Sequence, residues 1–261
     1  MKILVLILAV FASLQSFGGV TVGNGGVGLK VGNRLYLLDF VETGIEGQAV
    51  IRYDQPEMPK VRELVAKKLT PIPNVPINEI TAKISEIFAV DKTLAMSLFK
   101  SIEAYDWRVV SVGLRDTDDT DSLLSYPPEN LVQIAVRSER VIRINRDKWN
   151  LLDVEDRAGL IIHEALYAIN YTREVGKAWT QSAIQVRSLV GHLFSKDFSV
   201  QNQESYLRLV TLAFPNMSLT GAPNKFQSIN IDQNQTDLRY IVGPSSIYLG
   251  EPFVDSIVLY K

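Results

Sequence analysis

The sequence predicts an α+β fold on three patterns: a glycine-turned hairpin near its start, helix-spaced apolar stripes through its middle, and short β-type runs towards its end. Hydrophobic residues make up 46% of the 261, enough to bury a core without help from cross-links. Cysteine is absent, which removes disulfides, a lipid-modified cysteine and thiolate metal sites from consideration. The formal net charge of −2 offers no bulk attraction to nucleic acid.

Residues 1–18 read as a cleavable export signal. Lys2 supplies the charged start, residues 3–12 are apolar, and Ser16 and Gly18 are the small residues before a cut at Gly19. That run is shorter than the ~20 apolar residues of a membrane span, so the expected address is extracytoplasmic, either periplasmic or secreted. Gly23, Asn24, Gly25 and Gly26 follow, without the Lys-Ser/Thr ending of a phosphate loop, and suit a flexible or closely packed mature N-terminus. Val27–Val31 and residues 34–41 then form two strands, turned at Gly32 and Asn33, which tolerate the positive φ of a tight hairpin.

Pro59–Leu69 has helical spacing, and the proline-rich connector 70–76 must stop it. Asn78 and Asp91 are expected to cap two further helices carrying the stripes Ile80, Ile84, Ile87 and Leu94, Leu98, Ile102. Residues 109–114 read as a strand, and a second hairpin pairs 131–136 with 141–144 through Ser138 and Glu139. Asp153 caps a long helix whose first turn holds Glu155 and Asp156, where the helix dipole favours negative charge. It is expected to end near Gly176, with a companion helix over 178–195. From Tyr206 the pattern changes to β-type runs at 206–214, 226–231, 238–242, 246–249 and 253–260. The expected organisation is a leader at 1–18, an α+β domain at 19–196, and a β-rich section at 197–261 that either stands alone or packs on the helices.

One helix carries a chemical motif. Gly159-Leu160-Ile161-Ile162-His163-Glu164-Ala165-Leu166-Tyr167 resembles the active-site helix of zincin metallopeptidases, in which His-Glu-x-x-His follows an apolar run. The resemblance implies His163 as a zinc ligand and Glu164 as the general base that takes a proton from metal-bound water. Tyr167 stands where the family has its second histidine, and a phenol with pKa ~10 is a poor zinc ligand. His192, the other histidine in the chain, is then the remaining candidate ligand. At 100° per residue, Asp156, His163, Tyr167, Asn170 and Glu174 share one polar stripe, with Glu164 beside it near Arg157. The strand 141–145 precedes this helix as the substrate-binding edge strand does in zincins.

The Gly-Asn-Gly-Gly start, the segment Leu37-Leu38-Asp39-Phe40-Val41-Glu42 and the His-Glu helix together resemble a group of exported bacterial proteins without an established reaction. Four aspartates within 116–121 form a solvated acidic loop, since the spacing lacks the glycine and closing glutamate of a calcium loop. The function these readings imply is an exported cell-envelope protein that binds or supports a protein, peptide or envelope component on a zincin-like scaffold, with no cofactor. The alternative is a zinc-dependent hydrolase using His163, His192 and Glu164.

Overall fold

The computed structural model describes residues 22–23, 25–114, 126–138, 140–169, 183–199 and 203–214. The expected leader, the acidic loop 116–121, the stretch 170–182 with Asn170 and Glu174, and the expected strands after 214 lie outside the described residues. Within them the chain is α+β: helices with two small sheets and an antiparallel hairpin at the N-terminal end.

The hairpin forms as expected from β2 (Val27–Val31) and β3 (Arg34–Leu37), paired from Gly28↔Leu37 to Val31↔Arg34. Its turn places Gly32 at φ 61, in the left-handed region where glycine has no steric penalty. The second strand does not run on to Val41. At Leu38 the chain turns into a short helix, α1 (Leu38–Glu42), in which Leu38, Asp39 and Phe40 are all buried.

Helix α2 (Pro59–Leu69) starts on its proline as predicted. Helix α3 (Ile77–Val90) begins one residue before Asn78, so Asn78 is inside it and not its cap; its Oδ1 accepts from Nε and Nη2 of Arg62 on α2. Asp91 does cap α4 (Lys92–Ala104), accepting from the Leu94 N–H at 2.9 Å. The strand expected at 109–114 lies earlier, as β4 (Asp106–Val110), because Asp106 pairs opposite Val141 and buries Trp107 between the flanking residues.

β1 (Val22–Gly23), β6 (Ala135–Ser138), β7 (Val141–Asn145) and β4 form one sheet in that order, with β4 parallel to β7 and the other pairs antiparallel. The second sheet has the order β3-β2-β5, with β5 spanning Leu131–Gln133. β7 is therefore an interior strand bonded on both sides, and no edge is open there for a substrate to extend.

Asn145 caps α5 (Arg146–Leu151), and Asp153 accepts from the Asp156 N–H at 2.8 Å where α6 (Val154–Ile169) starts. Helix α7 (Ala183–Leu193) packs beside α6. Of the run 206–214, expected as a strand, residues 206–213 are helical within α8 (Gln203–Ala213). Tyr206, Val210, Ala213 and Phe214 are buried at i, i+4, i+7 and i+8, a helical face that the β-favouring Tyr, Val and Thr content obscured. These residues join the main hydrophobic core together with Phe198, so α8 packs with the helices that precede it.

Helix α6 runs through the centre, touching α3, α4, α7 and β3. Where the chain must bury charge it does so with partners. Lys83, fully buried, gives its ammonium protons to Val50 O, Leu193 O and Glu86 at 2.9, 2.8 and 2.5 Å, and burial still lowers its pKa to about 8.

Candidate buried polar site

Helix α6 brings the motif residues inside. Asp156 and His163 are 2% exposed, Tyr167 is 1% and Glu164 0%, so the described part of the predicted stripe faces other protein elements and not solvent. Asp156, His163 and Tyr167 lie on one side of α6, as the helical periodicity predicts. What covers that side is the N-terminal segment 26–43.

Four contacts fasten this segment. The Gly26 N–H donates to Glu164 Oε1, and the Leu37 N–H donates to Asp156 Oδ1 at 3.0 Å. Asp39 Oδ2 lies 2.6 Å from His163 Nδ1, both side chains being essentially unexposed. Glu42 Oε2 accepts from Arg187 Nε of α7 at 2.7 Å, again with both side chains buried. Two glycines permit the approach. A Cβ on Gly26 would stand 2.1 Å from Leu160 Cδ1, and one on Gly191 of α7 would stand 2.1 to 2.6 Å from three atoms of Thr43.

The electrostatics follow from burial. Burial alone would lower the His163 pKa, but the charge and hydrogen bond of Asp39, with the charge of Glu164, outweigh it and leave the imidazole raised above its ordinary 6.5. Burial raises Glu164, against the opposing pull of His163, Arg137 and the Gly26 N–H. Asp156 is pushed up to about 8 by burial, opposed by the Leu37 N–H and reinforced by Asp153. The resulting arrangement is an Asp39–His163 ion pair beside a carboxyl group that holds its proton longer than an exposed glutamate does. Asp39 Oδ1 and Glu164 Oε2 are buried without a hydrogen-bond partner among the described residues.

Tyr167, at the position of the family's second histidine, belongs to a ring stack: its ring lies 5.8 Å from that of His163, inclined by 15°, and the Arg137 guanidinium is 4.9 Å from its centroid. His192 is not part of this cluster. It is half-buried near the end of α7, edge-on to Phe198 at 5.9 Å, and shares no hydrogen bond or ring contact with His163. Burial lowers its pKa, with Asp197 opposing, and its Nε2 has no hydrogen-bond partner among the described residues. Glu164 does not pair with Arg157, which donates to Trp149 O and lies over the Trp149 ring.

Among the described residues no three or more His, Asp or Glu side chains gather as a metal-holding group. The Asp39 carboxylate at His163 Nδ1 is the one contact that also occurs around metal-bound histidines, where it leaves Nε2 to face the metal. Against that, a hydrolytic zinc needs about three protein ligands and a position open to substrate. Two surface clefts among the described residues lie elsewhere, one around Met58, Leu64, Phe88 and Phe99, the other around Tyr53, Arg62 and Thr81. Neither includes a residue of the His163 cluster.

Sequence reasoning missed Asp39, Glu42, Arg137 and Arg187 as members of this cluster. The available signal was Asp39 itself, an acidic residue set between Leu37-Leu38 and Phe40-Val41, where an apolar surround demands a partner for any buried charge. Comparison with known protein families, with curated proteins and with solved structures finds no match to this chain.

Proposed function

We propose that this chain is an exported binding protein of the cell envelope in which the His-Glu helix is an internal girder. The observation that carries this reading is the commitment of His163 and Glu164 to Asp39 and Gly26 in a region with almost no solvent exposure. A hydrolase must bring substrate to its metal and general base, whereas here the N-terminal segment occupies that approach. Export rests on Lys2, the apolar run 3–12 and the small residues Ser16 and Gly18.

The zinc-hydrolase reading keeps one supporting observation, the Asp39 carboxylate at His163 Nδ1. Elemental analysis of protein prepared without chelator separates the two. The girder reading expects no stoichiometric zinc, and expects Glu164→Gln to change stability with no associated peptidase loss. One zinc per chain, lost in His163→Ala and His192→Ala, with peptidase activity abolished in Glu164→Gln, would replace it with the hydrolase. Protein recovered outside the cytoplasm should begin at Gly19 on N-terminal sequencing; an intact Met1 there would remove the leader from the proposal.

A further inference from the structure

A polar cleft lies on the surface where the segment 53–58 meets α2 and α3. Thr81, Ala82 and Ser85, short side chains on one face of α3, leave a depression among longer neighbours such as Tyr53, Gln55 and Arg62. Ser85 is 8% exposed, yet its hydroxyl makes no side-chain hydrogen bond among the described residues, whereas the Thr81 hydroxyl donates to Ile77 O at 2.8 Å. A nearly buried hydroxyl that lines a cleft and has no protein partner there is a polar group with room for a ligand atom. Tyr53 keeps 63% of its surface exposed while its phenol donates to Glu79 Oε1 at 3.3 Å, so the ring is tethered without being covered.

The polar groups of this lining are of mixed kind. Arg62 Nε and Nη2 both donate to Asn78 Oδ1, which ties the guanidinium to the amide and leaves Arg62 Nη1 and Asn78 Nδ2 as further donors. Glu57 and Gln55 add acceptors. One carboxylate and one guanidinium line the cleft, so its charge sums to zero. An anion would meet Glu57 and a cation would meet Arg62, while an apolar body would strand the Ser85 hydroxyl and the Asn78 amide. A neutral ring carrying hydroxyls satisfies the whole set, because each hydroxyl both donates and accepts and the C–H face of the ring can cover an aromatic side chain. The cleft encloses about 320 Å³, near the lower end of the range of about 300–1,000 Å³ for small-molecule sites, which fits one sugar ring and not an oligosaccharide.

Resting on the binding reading given above, we infer that this cleft holds one neutral hexopyranose unit, its C–H face on Tyr53 and its hydroxyls on Ser85, Asn78, Arg62 and Glu57. The roughly 12 non-hydrogen atoms of a hexose, at the binding efficiency per atom of ordinary ligands, correspond to a dissociation constant of about 2 mM. Ser85 gives selectivity for a hydroxyl at one ring position, and Tyr53 supplies the surface that distinguishes a sugar ring from bulk water.

Titration of the mature protein with glucose, galactose, mannose and N-acetylglucosamine, followed by calorimetry and by saturation-transfer NMR, tests this. Expected are one site per chain for the preferred sugar, a dissociation constant of a few millimolar, and weaker binding of glucuronate and glucosamine than of glucose. The methyl glycosides distinguish the source of the ring: retained affinity assigns the cleft to the end unit of a glycan, and lost affinity to a free sugar. Ser85→Ala should weaken the preferred sugar about fivefold without lowering the unfolding midpoint, because the hydroxyl bonds to nothing in the described protein and alanine favours the helix. Tyr53→Ala, at an exposed position, should weaken it at least about tenfold. Absence of binding by every sugar, equal binding of cyclohexanol, or insensitivity to both variants would each overturn the assignment. A preparation without zinc that binds no sugar overturns this ligand alone, whereas one zinc per chain with Glu164-dependent peptidase activity overturns the underlying binding reading.

Discussion

Removing the imidazole of His163 should be among the most damaging single changes in this protein. In His163→Leu, the Asp39 carboxylate keeps its burial but loses the partner 2.6 Å away, and its other oxygen already has no hydrogen-bond partner among the described residues. Direct attraction at that distance with an effective dielectric constant of ~20 is about 6 kcal/mol, of which the desolvation of both groups cancels a part. Breaking a buried pair by deleting one member costs about 3–5 kcal/mol in proteins generally. For a chain of this size that corresponds to a melting temperature lower by about 6–20 °C. The assay is urea and thermal unfolding of the parent, His163→Leu, Asp39→Asn and the double variant. Each single change should cost several kcal/mol, and the double variant should cost about 2 kcal/mol or more less than the sum of the singles, because the second substitution removes the stranded partner. Single losses below about 1 kcal/mol, or additivity within about 0.5 kcal/mol, would refute the claim that this pair holds the N-terminal segment on α6.

Three further outcomes follow from the same contacts. Gly191→Ala should destabilise by about 1–3 kcal/mol through overlap with Thr43, and Thr43→Ala in the same chain should recover part of the loss; an unchanged unfolding midpoint would mean that α1 does not sit as closely on α7 as described. Tyr206→Phe should cost about 1.5–3 kcal/mol, because it strips the 2.8 Å hydrogen bond from the phenol to Asp91 that ties α8 to the start of α4; a neutral effect in denaturant titration would separate α8 from that junction. Stability should fall as pH rises from about 6.5 to 8: Asp156 keeps its proton in the fold up to about 8 but releases it near 3.8 when unfolded, Glu164 is raised in the same sense, and the His163 contribution, complete below 6.5, is lost through its raised folded value. His192 works against this trend only below 6.5, and Lys83 only above about 8. Melting temperatures across that interval check it, with Asp156→Asn expected to flatten the slope; a flat or rising parent profile would contradict the buried placement of these groups.

Local signals in the sequence determined the fold class, the hairpin turn at Gly32, the extent of Pro59–Leu69 and the caps at Asp91 and Asp153. Each depends on neighbours within a few residues, where backbone preference and capping chemistry act without regard to the rest of the chain. The same kind of signal failed at Tyr206, where β-favouring residues form a helix because their buried face is spaced by four. The site was legible as far as His163, Glu164 and the angle of their stripe. Tertiary structure alone decided what that stripe meets: Asp39 is 124 residues from His163, and Glu42 is 145 from Arg187. Helical periodicity gives the direction of a side chain about its own axis, but whether that direction ends in water, a metal or a distant carboxylate depends on which elements pack against it. For the same reason β7 could be read as a strand from its alternation, while its place inside the sheet required knowing that β4 lies along its other edge.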